Sequence, residues 1–205
     1  WSWGDWGGVR SEDMRHAEHA RLSNAAYMDG RPAMALEHAE KLERLRPDYP
    51  QAPQLRGQAL YALGRTDEAR VAFTTAMQAL PNDPVAPFNL GVMALDAGDP
   101  DAALGLFNEA MRRSPAYVPA AARAALVHLS RRQPQQAARL LTLHRNLSDA
   151  QAPAHLLVAR VLMAKVARQE AAATSAMQAL NGRFGDAGLK LLEAEINAGQ
   201  PGRPQ

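Results

Sequence analysis

The chain has 205 residues, a formal net charge of +2 and no cysteine, and 47% of its residues are apolar while only 5% are aromatic. The lack of cysteine excludes disulfides, thiolate metal sites and cysteine nucleophiles, and so small a net charge gives no argument for nucleic-acid binding. Alanine dominates the apolar residues and β-branched residues are few, so the composition predicts helices rather than strands. The sequence contains no run of about eighteen apolar residues, the length that a membrane-spanning helix needs.

The first ten residues, WSWGDWGGVR, are rich in tryptophan and glycine and are too few to form a core. We predict that residues 1–10 form an arm that folds back on the following helix. A linear motif that inserts into a partner or a membrane interface, and a linker to a lost anchor, are the alternatives. Ser11 is the expected N-cap of the first helix. Because the chain begins at Trp1 and not at Met, we expect a processed or trimmed product, and the sequence leaves open whether a signal peptide or a lipid-bearing residue preceded it.

Two central stretches repeat the same pattern thirty-four residues apart: GQALYALGRTDEARVAFTTAMQALP from Gly57 and GVMALDAGDPDAALGLFNEAMRRSP from Gly91. Small and apolar residues recur at intervals of three and four, which predicts two amphipathic helices in each stretch. Gly98 ends the first helix of the second stretch in a left-handed conformation, Asp99 is the expected N-cap of the next helix, and Pro115 stops that helix. Each stretch is therefore predicted to be a helical hairpin.

This 34-residue spacing resembles the tetratricopeptide repeat (TPR), a helix-turn-helix unit. A weaker unit begins at His16, and another begins at Val118 with Arg132 and Asp149 in place of the usual glycine and proline. A degenerate fifth unit begins near Ala152, and its stretch ARQEAAATSAMQALN echoes TDEARVAFTTAMQALP with one position lost. The resemblance implies an all-α, right-handed α-solenoid of about five TPR hairpins over residues 11–183. A C-terminal capping helix at 184–198 and a tail at 199–205 complete the prediction.

In the TPR family, the first helices of successive units line a concave groove that binds a partner. The resemblance therefore implies a groove for a peptide or an amphipathic helix, polar with tyrosines at first and aliphatic later. Its predicted residues are Asn24, Tyr27, Gln54, Gln58, Tyr61, Phe88, Val92, Leu95, Leu126 and Leu129.

The charge of the chain is uneven, because residues 1–100 carry a net −4 and residues 101–205 a net +6. Arginine forks suit carboxylates and phosphates, so the basic half is an alternative site for an anionic partner. The residues of this predicted patch are Arg112, Arg113, Arg123, Arg131 and Arg132.

No motif for catalysis is present: the sequence has no GxSxG, no Walker loop, no GxGxxG after a strand and no HExxH. His16 and His19 lie one helical turn apart in HAEH, but nothing near them in the sequence supplies a third metal ligand. We therefore predict that the protein is not an enzyme, and we assign no catalytic, metal or cofactor residues.

The function expected from these features is that of a protein–protein interaction scaffold. The composition resembles the small bacterial envelope TPR proteins, including lipid-anchored pilotins, that assist pilus, secretin or outer-membrane assembly. That resemblance implies a periplasmic or outer-membrane-anchored location, with membrane association through a missing N-terminal anchor. A cytoplasmic secretion chaperone or a regulatory adaptor is the alternative, and no nucleic-acid partner is expected.

Overall fold

The computed structural model describes the backbone of residues 6–198 and the side chains of residues 15–198. Over this range the chain forms ten α-helices and no strand, which confirms the predicted all-α class. The helices are α1 Trp6–Met28, α2 Pro32–Leu45, α3 Ala52–Ala62, α4 Thr66–Ala79, α5 Val85–Asp96, α6 Pro100–Arg113, α7 Val118–Ser130, α8 Pro134–Leu143, α9 Ala154–Val166 and α10 Glu170–Ala198. None of these helices is both long and apolar enough to cross a membrane.

A residue with a left-handed backbone follows every second helix up to α9. Gly30, Gly64 and Gly98 have φ values of 68°, 75° and 76°, a region that glycine enters at little cost. Arg132 and Arg168 take the same place after α7 and α9, each with a φ of 56°. The predicted role of Gly98 is thus confirmed, and in the last two repeats an arginine adopts the strained conformation instead.

The helices that follow these turns begin with a recurring signal. Proline is the first residue of α2, α6 and α8, where its missing N–H needs no partner. Before α6, the Asp99 carboxylate also accepts a hydrogen bond of 2.9 Å from the Ala102 N–H. This contact confirms Asp99 as the predicted N-cap.

The chain divides into two compact units at the junction between Asp96 and Ala97. The first unit contains α1 to α5, and its core is built from alanines around Leu60, Phe73 and Met93. Within this core Gly57 allows α3 to approach α4 closely, because a Cβ atom at Gly57 would lie 2.9 Å from the Phe73 ring. Packing therefore favours glycine at position 57.

The second unit is organised around α9, which packs against α7, α8 and α10. Residues 156–159 of α9 are all fully buried, and Val161 is buried as well. Leu126 from α7 and Leu180 and Leu192 from α10 complete this core. Because neighbouring helices cover α9 so thoroughly, it has few side chains that can meet a partner.

The loop between α8 and α9, residues 144–153, is held by two arginines. One guanidinium nitrogen of Arg160 lies 2.5 Å from the Asp149 carboxylate, and another donates to the carbonyls of His144 and Leu147 at 3.0 and 2.7 Å. Arg183 donates to the carbonyls of Asp149 and Ala152 at 2.9 and 2.5 Å. The aspartate that replaces the usual proline is thus the anchor of this loop.

The predicted register of the fifth repeat is wrong. The left-handed residues Arg132 and Arg168 are two residues farther apart than the 34-residue repeat, so residues are inserted and not lost. Counted from the turns, buried Ala173 and Ala176 correspond to buried Ala69 and Ala72. The sequence AMQAL occurs at residues 76–80 and at residues 176–180, and aligning these two segments shifts the fifth repeat by one helical turn. The error arises because an alanine-rich sequence fits two successive turns of a helix equally well.

The two ends of the described range also differ from expectation. The first helix begins at Trp6, so residues 6–10 of the predicted arm are helical, while residues 1–5 and the predicted tail at 199–205 lie outside the described range. Helix α10 is interrupted at Gly185, where φ is 50° and ψ is −137°. The segment after this break, residues 186–198, corresponds to the predicted capping helix.

A glycine-to-alanine substitution at Gly57 is expected to destabilise the protein by about 1–3 kcal/mol, because the added methyl group would overlap the Phe73 ring. The matched control is Gly105→Ala, since Gly105 lies inside α6 with no atom within 4 Å of an added Cβ. That control should gain about 0.5–1 kcal/mol from higher helix propensity. Chemical denaturation of both variants measures the difference, and equal effects would contradict the packing role of Gly57.

Candidate functional site

The candidate binding surface of the first unit is the face formed by α1, α3 and α5, and we call it the first-unit groove. These are the helices that precede the left-handed turns, and α3 contacts both of its neighbours. The structure brings eight of the ten predicted groove residues onto this set of helices. They are Asn24 and Tyr27 on α1, Gln54, Gln58 and Tyr61 on α3, and Phe88, Val92 and Leu95 on α5.

The two tyrosines of the groove are fixed by packing. Tyr27 and Tyr61 are half-buried and pack against the first-unit core. The Tyr61 hydroxyl also donates a hydrogen bond to the carboxylate of Asp96, the last residue of α5. Aromatic side chains held in this way offer a large contact area without further loss of rotamer freedom on binding.

The remaining groove residues combine amide and apolar groups. Gln54, Gln58, Val92 and Leu95 are half-buried, whereas Asn24 is exposed. The amide oxygen of Gln54 is buried and has no hydrogen-bond partner among the described residues. A buried acceptor without a partner costs about 1–3 kcal/mol, so this glutamine is kept at some expense of stability.

The last two predicted groove residues belong to the second unit and differ from the others. Leu126 is only 3% exposed and is part of the second-unit core, while Leu129 is half-buried against that core. The prediction that Leu126 contacts a partner is therefore wrong. The cause is burial of α7 on several sides, since α8, α9 and the capping segment of α10 all contact this helix.

The predicted arginine patch is largely neutralised by carboxylates. Arg112 and Arg113 share Glu109, with nitrogen–oxygen distances of 2.7 Å, and hydrogen bonds from both lower the pKa of Glu109 to about 2. Arg131 lies 2.7 Å from Asp101. These ion pairs remove most of the free positive charge that an anionic partner would need.

The other two arginines of the patch, Arg123 and Arg132, differ in burial and in what they contact. The Arg123 guanidinium is 3.7 Å from Glu195 of the capping segment, and both side chains are mostly buried. Arg132 is exposed and occupies the left-handed turn after α7. Four of the five arginines therefore form ion pairs, and Arg132 lies in a turn between two helices. Their proximity in the sequence did not indicate these roles.

Two histidines, His19 of α1 and His38 of α2, form a pair between these helices. His19 Nδ1 and His38 Nδ1 are 2.9 Å apart, so one ring donates and the other accepts. Burial and the neighbouring His38 lower the pKa of His19. The described residues include no group of three or more side chains able to hold a metal ion.

A buried cluster in the second unit was missed by sequence reasoning. Burial and the nearby Arg123 guanidinium lower the pKa of His155 to about 4, and burial raises the pKa of Glu195 against the opposing effect of Arg123. The Nε2 atom of His155 has no hydrogen-bond partner among the described residues. Arg123 and Glu195 connect α7 with the capping segment, a contact between helices that are remote in sequence.

Family models of the tetratricopeptide repeat match residues 20–87, 55–118 and 94–161. The matches span most of the chain, and the protein belongs to the TPR family. The fold is thus an all-α solenoid of TPR hairpins, and proteins of this family are generally non-catalytic and bind other proteins.

Solved structures show the same fold at low sequence identity. The chain is similar to PilF of Pseudomonas aeruginosa, with a TM-score of 0.68 and 22% identity over 89% of this chain and 81% of that chain. A thermophilic TPR protein of Thermus thermophilus gives a TM-score of 0.67 and 20% identity over 89% and 98% of the two chains. No curated protein sequence matches the chain.

Acidification is expected to destabilise the protein through His155. Its pKa is about 4 in the folded protein and 6.5 in the unfolded chain, so between these values only the unfolded chain binds the proton. This contribution to stability is complete above pH 6.5 and falls, by up to about 3 kcal/mol, as the pH drops to about 4.

The variant His155→Leu removes this titration and isolates its contribution. Chemical denaturation across the same pH range should show wild-type stability falling relative to the variant as the pH decreases. Parallel stability curves for the two proteins would contradict the assigned cause.

Proposed function

We propose that this TPR protein is an interaction scaffold that binds an amphipathic helix or an extended peptide in the first-unit groove. The observation that carries the proposal is the pair of tyrosines, Tyr27 and Tyr61, held against the core while part of each residue stays accessible. Preorganised aromatic residues beside half-buried aliphatic ones form the kind of surface that anchors a partner.

The chemistry of the groove favours an apolar stripe on the partner. Val92 and Leu95 lie three residues apart on α5, and Phe88 precedes Val92 by one turn, so the three line one side of the helix. Covering their accessible surface contributes about 25 cal/mol per Å² of apolar area. The amide of Gln58, which is half-buried, supplies hydrogen bonds for the polar groups of the bound segment.

The broader role that we propose is assistance in the assembly of a bacterial envelope machine, such as a pilus or a secretin. The similarity to PilF supports this role over a cytoplasmic secretion chaperone or a regulatory adaptor. The corresponding location is periplasmic or anchored to the outer membrane. The ion pairs of the arginine patch give no support to an anionic partner at that patch.

Two valine substitutions in the same unit test the groove. Val92→Arg introduces a charge on α5 within the groove, and Val71→Arg introduces the same charge on α4, where the valine is 64% exposed and outside it. A photo-crosslinker at Gln58 should capture a partner from cells of the source organism. We expect Val92→Arg to reduce capture at least about tenfold and Val71→Arg to leave it unchanged.

The same experiment separates an apolar partner from an electrostatic one. Capture through the groove should persist when salt is raised, because exposed charge pairs are screened and apolar contacts are not. Capture that survives Val92→Arg would contradict groove binding. Mass spectrometry of the captured protein tests the envelope role, and identification of a cytoplasmic secretion substrate would favour the alternative.

A further inference from the structure

The second unit contains a cleft that none of the features above uses. It lies among α8, α9 and α10 and has a volume of about 470 Å³. Its apolar lining includes Leu141 of α8, Met163 of α9 and Ala172 of α10. A volume of this size lies within the range of about 300–1,000 Å³ that is usual for ligand sites.

The cleft lies beside the point where α8 ends early. Helix α8 has ten residues and ends at Leu143, whereas α6, which begins one repeat earlier, has fourteen. The following loop does not continue the helix, and Arg160 and Arg183 hold this loop through Asp149. The mouth of the cleft is therefore bordered by a loop that is clamped in place.

The charges around the cleft are unequal. The Asp149 carboxylate is satisfied, since one oxygen is 2.5 Å from Arg160 and the other is 3.4 Å from the Ser175 hydroxyl. Arg145 also lines the cleft, but it is exposed and has no ion-pair partner among the described residues. One guanidinium at the mouth is thus left for an external anion.

The rim also offers an amide group. The side chain of Gln169 lines the cleft and is exposed, and no described residue hydrogen-bonds to it. Thr142 also lines the cleft; its hydroxyl donates to the Ala138 carbonyl and keeps its lone pairs for an incoming N–H group. Such groups match the backbone amides of a peptide, which an aliphatic acid of the lipid type does not possess.

We propose that this second-unit cleft binds an acidic–aliphatic segment of a protein partner. The segment places an aliphatic side chain against Leu141 and Met163 and a side-chain carboxylate on the Arg145 guanidinium. Arginine suits this role because its fork donates to both carboxylate oxygens at once. The cleft is a second binding site, and its occupation does not depend on the first-unit groove.

A pair of capped peptides tests the proposal. The probes are acetyl-Leu-Glu-Leu-amide and acetyl-Leu-Gln-Leu-amide, which differ only in the carboxylate. In nuclear magnetic resonance titrations of the full chain, the glutamate peptide should shift the methyl signals of Leu141 and Met163. The glutamine peptide should bind about tenfold more weakly, as expected for loss of one charge-assisted interaction.

One variant tests the proposal and two variants serve as controls. Arg145→Gln should reduce the affinity for the glutamate peptide about tenfold, to the level of the glutamine peptide. Arg139→Gln removes an exposed arginine of α8 that does not line the cleft, and it should have no effect. Val92→Arg in the first-unit groove should also have none, so the failure of one site is distinguishable from the failure of the other.

Several results would overturn the proposal. These are equal affinity for the two peptides, an effect of Arg139→Gln equal to that of Arg145→Gln, or no shift at peptide concentrations up to about 1 mM. Stronger binding of octanoate than of the glutamate peptide would assign the cleft to aliphatic acids instead. Because Arg145 is exposed and has no described partner, its substitution is expected to leave the fold intact, which thermal unfolding checks.

Discussion

The structure depends on the close approach of helices through residues that have almost no side chain. In the first unit, Gly57 lets α3 lie against the Phe73 ring of α4, and alanines such as Ala69 and Ala72 occupy the neighbouring contacts. An interior built on alanine buries little area for each residue, so it gains stability from dense packing and from the high helix propensity of alanine. The few large core side chains, such as Phe73 and Leu60, fill the space between these alanine contacts.

This constraint explains why the two units differ in the surfaces that they offer. In the first unit, the face of α1, α3 and α5 remains half-accessible and carries the tyrosines of the groove. In the second unit, α10 contacts both α7 and α9, and Glu195 of its segment after Gly185 pairs with Arg123 of α7. Leu126 and the central residues of α9 are therefore core, and the accessible cavity of this unit lies among α8, α9 and α10.

Several arginines of the second unit have a structural role that the sequence did not indicate. Arg160 and Arg183 satisfy the backbone carbonyls of a loop, and Arg123 reaches Glu195 in the interior. A guanidinium can do this because its five N–H groups bind several oxygens in different directions. Part of the positive charge of residues 101–205 is thus used in internal contacts, and Arg145 is notable as a cleft residue without an ion-pair partner among the described residues.

The sequence by itself determined the all-α class, the repeat length, the hairpin turns and the helices on which the predicted first-unit groove residues lie. These features follow from local rules: Gly64 and Gly98 mark left-handed turns, Asp99 caps a helix, and a 34-residue period places equivalent residues on equivalent faces. Such signals act over one or two helical turns, so a single sequence displays them fully.

Only the tertiary structure decided which faces are covered and which charges are paired. The burial of Leu126, the pairing of Arg123 with Glu195 and the pKa of His155 all depend on contacts between helices that are not adjacent in the chain. The sequence also did not determine the register of the fifth repeat, because an alanine-rich sequence fits two successive helical turns equally well. Burial and desolvation depend on every neighbouring element at once, and no local pattern specifies them.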